Sequence, residues 1–533
     1  MVIIMFMIDF FHCGSGVNYE QNPNRFFYLT PMPNFYATTP IYYVNDRPHI
    51  GHAYTTVLTD VLTRYHKLFG YDAFFMTGVD EHGQKVQKAA ATRGISPQQH
   101  VDEYSEHFRN LWPKLNIDYG YFIRTTDDYH KKFVQDSLQT LYDKGEIYSK
   151  EYSGWYSVGE ERFFEESELV DGKDPISGRA VEWLCEKNYF FKMSKYQQKL
   201  IDYINENPSW ILPDFRRNEV LGFLKKPLND LCISRPKARL AWGISIPFDE
   251  DFVTYVWVDA LENYISGVKD RKHKDGSPFW PADFHIIGKD ILTTHCIYWP
   301  TIIMAMGWEL PKHVLAHGWW LIDGSKMSKT SGTGVNPMDY VDTYGVDVFR
   351  YFLIREMVVG LDATFAHDSF VRRINSDLAN DLGNGLNRIH KLTLTNFDGK
   401  IPTPVESGAD EAELLSYSKK ATQFAKENIG EAKLSLVVEE ILNSVRALNR
   451  YLEITAPWKL AKSTEQKDKD KLATVLYTGA ESLRIALSLL SPVMPQKMEQ
   501  GRLMLGAGDG PLKGGEILGK GEALFPRIQE EKE

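Results

Sequence analysis

The chain has little cysteine: four residues in 533, Cys13, Cys185, Cys232 and Cys296, dozens of positions apart and with no CxxC pair. That spacing argues against a disulfide framework, excludes a classical cysteine zinc knuckle, and fits isolated reduced thiols. Long hydrophobic runs are also missing. No apolar stretch reaches the ~18–20 residues that a membrane-spanning helix needs. A basic excess is absent as well: the formal charge is −10, so the chain is no general nucleic-acid coating protein, and any RNA contact has to rest on local basic charge. The opening MVIIMFMIDFF has the look of a signal sequence, but it lacks a positive leading region and Asp9 interrupts it. A mitochondrial presequence would be Arg-rich, and residues 1–31 contain only Arg25 beside Asp9 and Glu20. The expectation is that Met32 is the true start, or that residues 1–31 are dispensable for catalysis and folding.

What is present divides into three textures. Residues 35–45 (FYATTPIYYVN) are aromatic and β-branched and predict a strand. A helix should follow, with Val57, Leu58, Val61, Leu62, Tyr65 and Leu68 on one face, and residues 73–77 (AFFMT) predict a second strand closed by GVDEHG. Strand, helix and strand within about forty residues make a βαβ unit with a nucleotide-type crevice at its strand ends. From 149 to 236 short strands surround a turn, DGKDPISG, as in an inserted module; βα character then resumes through 321. After 363 the strands stop, and amphipathic stretches such as 371–394 and 430–453 predict a helical bundle. The expected fold is therefore α/β, a Rossmann-type domain (32–148 and 237–321) split by a connective insertion (149–236). A loop region (322–362) and an α-helical domain (363–533) complete it.

Two short motifs carry chemistry. His49-Ile50-Gly51-His52 falls between the first strand and its helix, where free N–H groups and the helix dipole welcome phosphate. Two imidazoles can donate to phosphoryl oxygens there, and Gly51 allows close approach of a flat base; alone, the motif is equally two incidental surface histidines. Lys326-Met327-Ser328-Lys329-Thr330 lies on a loop where two ammonium groups could close over a triphosphate, or simply face solvent.

Together and in this order, the two motifs resemble the HIGH and KMSKS signatures of class I aminoacyl-tRNA synthetases, with Thr330 in place of the final serine. The resemblance narrows to the methionyl enzymes and covers nearly the whole chain from Asn34. It implies ATP with Mg2+, L-methionine and tRNA(Met), initiator and elongator, as substrates, with His49, His52, Lys326, Lys329 and Arg235 catalytic. Gly51, Gly288 and Asp290 would join the two lysines in holding ATP, although Asp290 could equally cap a helix. TTPIYYVNDRPHIGH would supply Pro40, Ile41 and Tyr43 to the methionine site, GVDEHG Asp80, YVWVDALENY Trp257, Ala260 and Tyr264, and GKDILTTHCIYW Ile291 and His295. An aromatic-walled slot with a donor near sulfur, from Tyr43 or His295, suits a thioether, and Asp80 suits the ammonium.

Asn384 and Arg388 lie four apart on one helix face, and with Trp458 they match the family's anticodon-reading positions. On physics alone they are also a cap, a surface charge and a core indole. Where many relatives carry zinc knuckles the insertion reads YSGWYSVGEE with no cysteine pair, which implies no structural zinc, and the C-terminal tRNA-binding and dimerisation domain of some relatives is expected to be absent. A cytoplasmic monomer with no membrane partner is the expectation. Synthetases for leucine, isoleucine or valine carry an editing domain too large for this insertion, and cysteine enzymes carry a zinc thiolate site. A non-catalytic tRNA-binding paralogue would have eroded its phosphate motifs.

Overall fold

The computed structural model describes residues 32–45, 47–157, 162–175, 177–322, 325–326 and 336–529. Residues 1–31, and the basic-loop positions from Met327 through Lys329 to Thr330, lie outside the described residues; of Lys326 only the backbone is described. Two compact units emerge, Asn34–Thr63 with Asp72–Trp319, and Arg64–Tyr71 with Trp320–Glu533.

The first unit runs β1 (Asn34–Thr38), β2 (Tyr42–Tyr43), α1 (Ile50–Leu68, to Thr63), β3 (Asp72–Asp80), α2 (Gln84–Arg93), α3 (Pro97–Lys114), β4 (Tyr121–Arg124) and α4 (Asp128–Asp143). It continues through β5 (Ile147–Ser157), β6 (Arg162–Phe164), β7 (Glu182–Phe191), α5 (Gln197–Glu206), β8 (Ile211–Leu212), α6 (Asp214–Phe223), β9 (Leu231–Cys232), β10 (Ser234–Pro236), β11 (Ser245–Ile246) and β12 (Asp249–Thr254). It closes with α7 (Val256–Leu261), α8 (Asn263–Ser266), β13 (Phe284–Gly288), α9 (Trp299–Met306) and β14 (Val314–His317).

A seven-stranded sheet in the order β2-β3-β1-β13-β14-β8, with β4 on β3, forms the centre. Its pairs are parallel, and the strands are apolar on both faces, as crossover helices on a parallel sheet require. β3 leaves β1 on one side and β13 on the other, so the strand order reverses at β1 and a crevice opens at the strand ends there. β1 and β2 follow the same edge of β3, interrupted at Thr39-Pro40-Ile41, and Tyr43 resumes in register with Asp80. β3 runs three residues beyond the predicted AFFMT. Gly78 permits this: a Cβ there would stand 2.2 Å from the Ile123 carbonyl oxygen on β4.

Within 149–236, β5, β6, β7 and β9 form an antiparallel sheet, while β8 pairs in parallel with β14 of the large sheet. In the DGKDPISG turn, Asp174 is buried and accepts from the Ser157 hydroxyl and, at 2.8 Å, from that of Ser177.

Among the described residues, the second unit has three short strands, β15 (Trp320–Ile322), β16 (Ser325–Lys326) and β17 (Ala363–Thr364), and is mostly helical beyond them. Its helices are α10 (Pro337–Tyr344), α11 (Val346–Glu356), α12 (His367–Arg373), α13 (Asn384–Asn396), α14 (Ala409–Asn428), α15 (Leu434–Thr455), α16 (Pro457–Leu460), α17 (Gln466–Leu490) and α18 (Pro495–Met504). α15 buries Leu434, Val437, Val438, Ile441, Leu442, Val445, Leu448 and Leu452, a three-and-four spacing that turns one stripe inward. Among the described residues no helix is long and apolar enough to cross a membrane.

Candidate functional site

The crevice at the end of β1 gathers the predicted residues from several elements. His49 and His52 open α1 with their rings stacked at 3.8 Å. The Gly51 N–H donates to His49 Nδ1 at 3.0 Å, and the His49 N–H donates to His52 Nδ1 at 3.1 Å. With both Nδ1 atoms accepting, the neutral tautomer of each ring carries its proton on Nε2. Gly51 is required by its own neighbour: a Cβ there would meet His49 Cε1 at 2.9 Å.

The Tyr42 ring meets His52 edge-on at 4.9 Å, and the next residue, Tyr43, joins an aromatic cluster on the core. Ile41, Tyr43, Trp257 and Ile291 are half-buried against the core, while Asp80, Ala260, Tyr264 and His295 are buried; Pro40 is half-buried beside Ile41. Tyr43 and Asp80 are register partners, and Lys85 sits over the Tyr43 ring at 5.7 Å. The Tyr264 hydroxyl lies 2.7 Å from His295 Nε2, and His295 Nδ1 lies 2.9 Å from the Ile291 carbonyl. Trp257 meets the His295 ring edge-on at 6.4 Å. Burial lowers His295 to about 4, so the ring is neutral. Its Nδ1–H goes to Ile291 and its Nε2 accepts from Tyr264. As arranged, then, His295 has no N–H for a thioether; of the two donors considered from sequence, Tyr43 is the one compatible with this geometry. A π-helical turn over Thr294–Tyr298 carries His295, a distortion often found at functional sites.

Residues that sequence reasoning missed complete the crevice. His285 on β13 is buried, and burial pushes its pKa well down. Its Nε2 accepts from Trp299 Nε1 at 3.3 Å, so its Nδ1–H donates to Thr38 Oγ1 at 2.7 Å. His317 ends β14, in register with Gly288, and lies 2.7 Å from Thr55 Oγ1 on α1. A histidine closing an apolar strand at the ligand-binding edge was the available signal in HVLAHGWW.

Asp290 is exposed just past β13 and accepts from Trp319 Nε1 at 3.1 Å, while Lys289 lies 4.0 Å over the Trp319 ring. A Cβ at Gly288 would stand 2.6 Å from Asp290 Oδ1, so the glycine makes room for the carboxylate. Arg235 is placed differently. It is 3% exposed on β10, with its guanidinium 4.6 Å from the Tyr255 ring and 5.5 Å from Tyr156, and it donates to the Ser234 carbonyl at 2.7 Å. Sequence predicted it beside ATP phosphates; the structure encloses it among aromatic rings.

In the second unit, Asn384 and Arg388 are exposed on α13, and Arg388 pairs at 2.8 Å with Glu453 near the end of α15. Trp458, half-buried on α16, follows that end after a left-handed turn at Ala456. The three expected positions thus belong to neighbouring segments.

A parallel sheet reversing at β1, with a donor-bearing helix start at its crevice, defines a Rossmann-type nucleotide-binding protein. The family model described as tRNA synthetases class I (M) matches residues 35–182 and 164–390. A methionine–tRNA ligase of Caldanaerobacter subterraneus is 45% identical over 514 residues, 94% of this chain and 80% of that protein. One of Rickettsia felis is 44% identical over 512 residues, 93% of this chain and 98% of that protein. Among solved structures, the methionyl-tRNA synthetase of Mycobacterium tuberculosis in complex with methionyl-adenylate superposes with a TM-score of 0.89 at 39% identity, over 93% of this chain and 100% of that one. The chain belongs to the class I tRNA synthetases, in their methionyl-tRNA synthetase family.

Proposed function

We propose that this chain activates L-methionine with ATP, as its magnesium complex, and transfers the methionyl group to the 3′ end of tRNA(Met). The methionine carboxylate attacks the α-phosphorus in line and pyrophosphate leaves. A terminal ribose hydroxyl, the 2′ in this class, then attacks the acyl carbon of the adenylate and AMP leaves. No covalent nucleophile of the protein takes part; positioning and electrostatics supply the rate.

The observation that supports this reading is that the stacked His49–His52 pair touches Tyr42, next in the chain to Tyr43, and that Tyr43, Trp257 and Tyr264 pack on one core with Asp80 and His295 as their partners. In it, the two Nε2–H groups donate to phosphoryl oxygens, Asp80 receives the ammonium, and the rings with Pro40, Ile41, Ala260 and Ile291 enclose the side chain. The Tyr43 hydroxyl is the donor toward sulfur. Asp290, with Gly288 clearing space, accepts from ribose, Gly51 lies under the adenine, and Lys326 and Lys329 neutralise departing pyrophosphate. Arg235 is assigned to the phosphate side only through its place in the SRP segment. Asn384, Arg388 and Trp458 read the anticodon. We place the protein in the cytoplasm as a monomer without structural zinc; the wide spacing of the four cysteines, with no CxxC, supports the absence of zinc.

Lys329→Ala tests the division of labour. Adenylate formation followed by stopped flow should slow about a hundredfold, the effect of losing ~3 kcal/mol of charge stabilisation in the transition state, with methionine affinity nearly unchanged. An unaltered rate would remove Lys329 from the mechanism.

A further inference from the structure

The motif Asp80-Glu81-His82 divides its side chains among separate tasks. Asp80 ends β3 in register with Tyr43. Glu81 is buried and accepts from Arg124 Nε at 2.8 Å and from the Thr126 hydroxyl, tying the strand end to β4 and the turn after it. His82 turns instead toward α7, where its Nδ1 lies 2.6 Å from Asp259 Oδ2. The other carboxylate oxygen, Oδ1, lies 2.9 Å from His130 Nε2 on α4, and His130 Nδ1 lies 2.7 Å from Ser266 Oγ on α8. Asp259 has no exposed surface and both its oxygens are engaged. Burial alone would raise its pKa; the two imidazoles hold it below the usual carboxylate range, so the group stays charged. Three residues on, Glu262 is equally buried, and burial together with the Asp259 charge pushes its carboxyl well up, leaving it protonated. The negative charge of this core therefore sits on Asp259.

Its sequence neighbours give this charge a purpose. Asp259 lies between Trp257 and Ala260, two walls of the candidate methionine slot, and His82 lies two residues from Asp80, the candidate ammonium acceptor. We propose that Asp259, clamped between His82 and His130, is a positioning residue for methionine, fixing the span between the ammonium end and the side-chain wall of the slot. It touches no substrate. The proposal rests on the function proposed above, in which Asp80 and Trp257 line that slot.

The test is ATP–pyrophosphate exchange with the full chain, varying methionine and ATP separately. Asp259→Asn, which keeps the shape but turns an amide N–H toward an imidazole donor, should raise KM for methionine about tenfold or more, with KM for ATP and kcat within about threefold. His82→Asn should give the same split and serves if Asp259→Asn does not fold. Glu262→Gln, isosteric with a protonated carboxyl in the same helix turn, should leave all three constants in place. An unchanged methionine KM, or a common loss in all three constants, would reduce Asp259 to a core ion pair and overturn the proposal. Absence of methionine-dependent exchange in the unsubstituted chain would instead overturn the functional reading and take this one with it.

Discussion

His295 shows what a single residue's surroundings decide. Its imidazole is 1% exposed, donates to Ile291 and accepts from Tyr264. With a folded pKa near 4 against about 6.5 when unfolded, the unfolded chain binds more protons at acid pH, so stability present at pH 7 declines as pH falls from 6.5 toward 4. The contribution is on the order of 2 kcal/mol by pH 5, and buried His285 acts in the same direction. Melting temperatures measured from pH 7 to pH 5 should therefore fall, and His295→Gln should flatten the slope; parallel slopes for the two proteins would contradict the assignment. Trp319→Phe is the companion case at the nucleotide end. Losing the Nε1 donor removes one of the contacts that orient Asp290, and KM for ATP should rise several-fold while KM for methionine holds, as initial rates would show. At this scale the sequence was informative about residue types and silent about tautomers: nothing in GKDILTTHC says which histidine nitrogen holds the proton. For Arg235 it suggested a phosphate role and gave no sign of the rings around it, since enclosure by Tyr156 and Tyr255 depends on strands distant in the chain.

Among the elements, α1 departs most instructively from expectation. The predicted apolar face is buried from Val57 to Tyr65, with Leu68 half-buried, but so is the opposite side, including Thr55, Thr56, Thr59, Asp60 and Thr63. The threonines make this possible by donating back to the carbonyls of Gly51, His52, Thr55 and Thr59, at 2.8–3.0 Å, so their hydroxyls enter the core satisfied. Periodicity counts a threonine as polar and so reads a surface where there is none. In the second unit, the predicted helix over 371–394 is present but contains a π-helical stretch, Ile374–Gly383, whose cause is invisible to periodicity. Asp377 there is buried; it accepts from the Tyr351 hydroxyl at 2.7 Å and lies within 3.9 Å of Arg355, Arg373 and Arg446. Asp377→Asn should cost about 1–2 kcal/mol, read as a lowered urea midpoint, because it weakens the acceptor of the buried Tyr351 hydroxyl while Arg355, Arg373 and Arg446 keep Glu439, Glu356 and Asp381 as partners. On the next helices, Trp458→Ala should leave exchange without tRNA intact and lower aminoacylation efficiency by the ~1–3 kcal/mol of one base stack. Equal damage to both half-reactions would mark the indole as packing alone.

Across the described residues, one unit holds a parallel α/β sheet and an antiparallel sheet that begins at Ile147, and the other is mostly helical. Less legible was the two-residue strand β8, which joins the large sheet from within 149–236, because two residues carry no period. The crevice was legible because its motifs are local; its support, from Asp259 to His317, was not, because those contacts join residues up to 262 positions apart. The central claim is that this crevice selects methionine and joins it to ATP. It is tested most directly by ATP–pyrophosphate exchange with methionine, leucine, isoleucine, valine and cysteine presented singly, without tRNA. The account predicts label exchange with methionine at kcat/KM at least about a hundredfold above any other, as one pocket's contacts can supply. Exchange with none of them, or preference for a branched side chain, would contradict it.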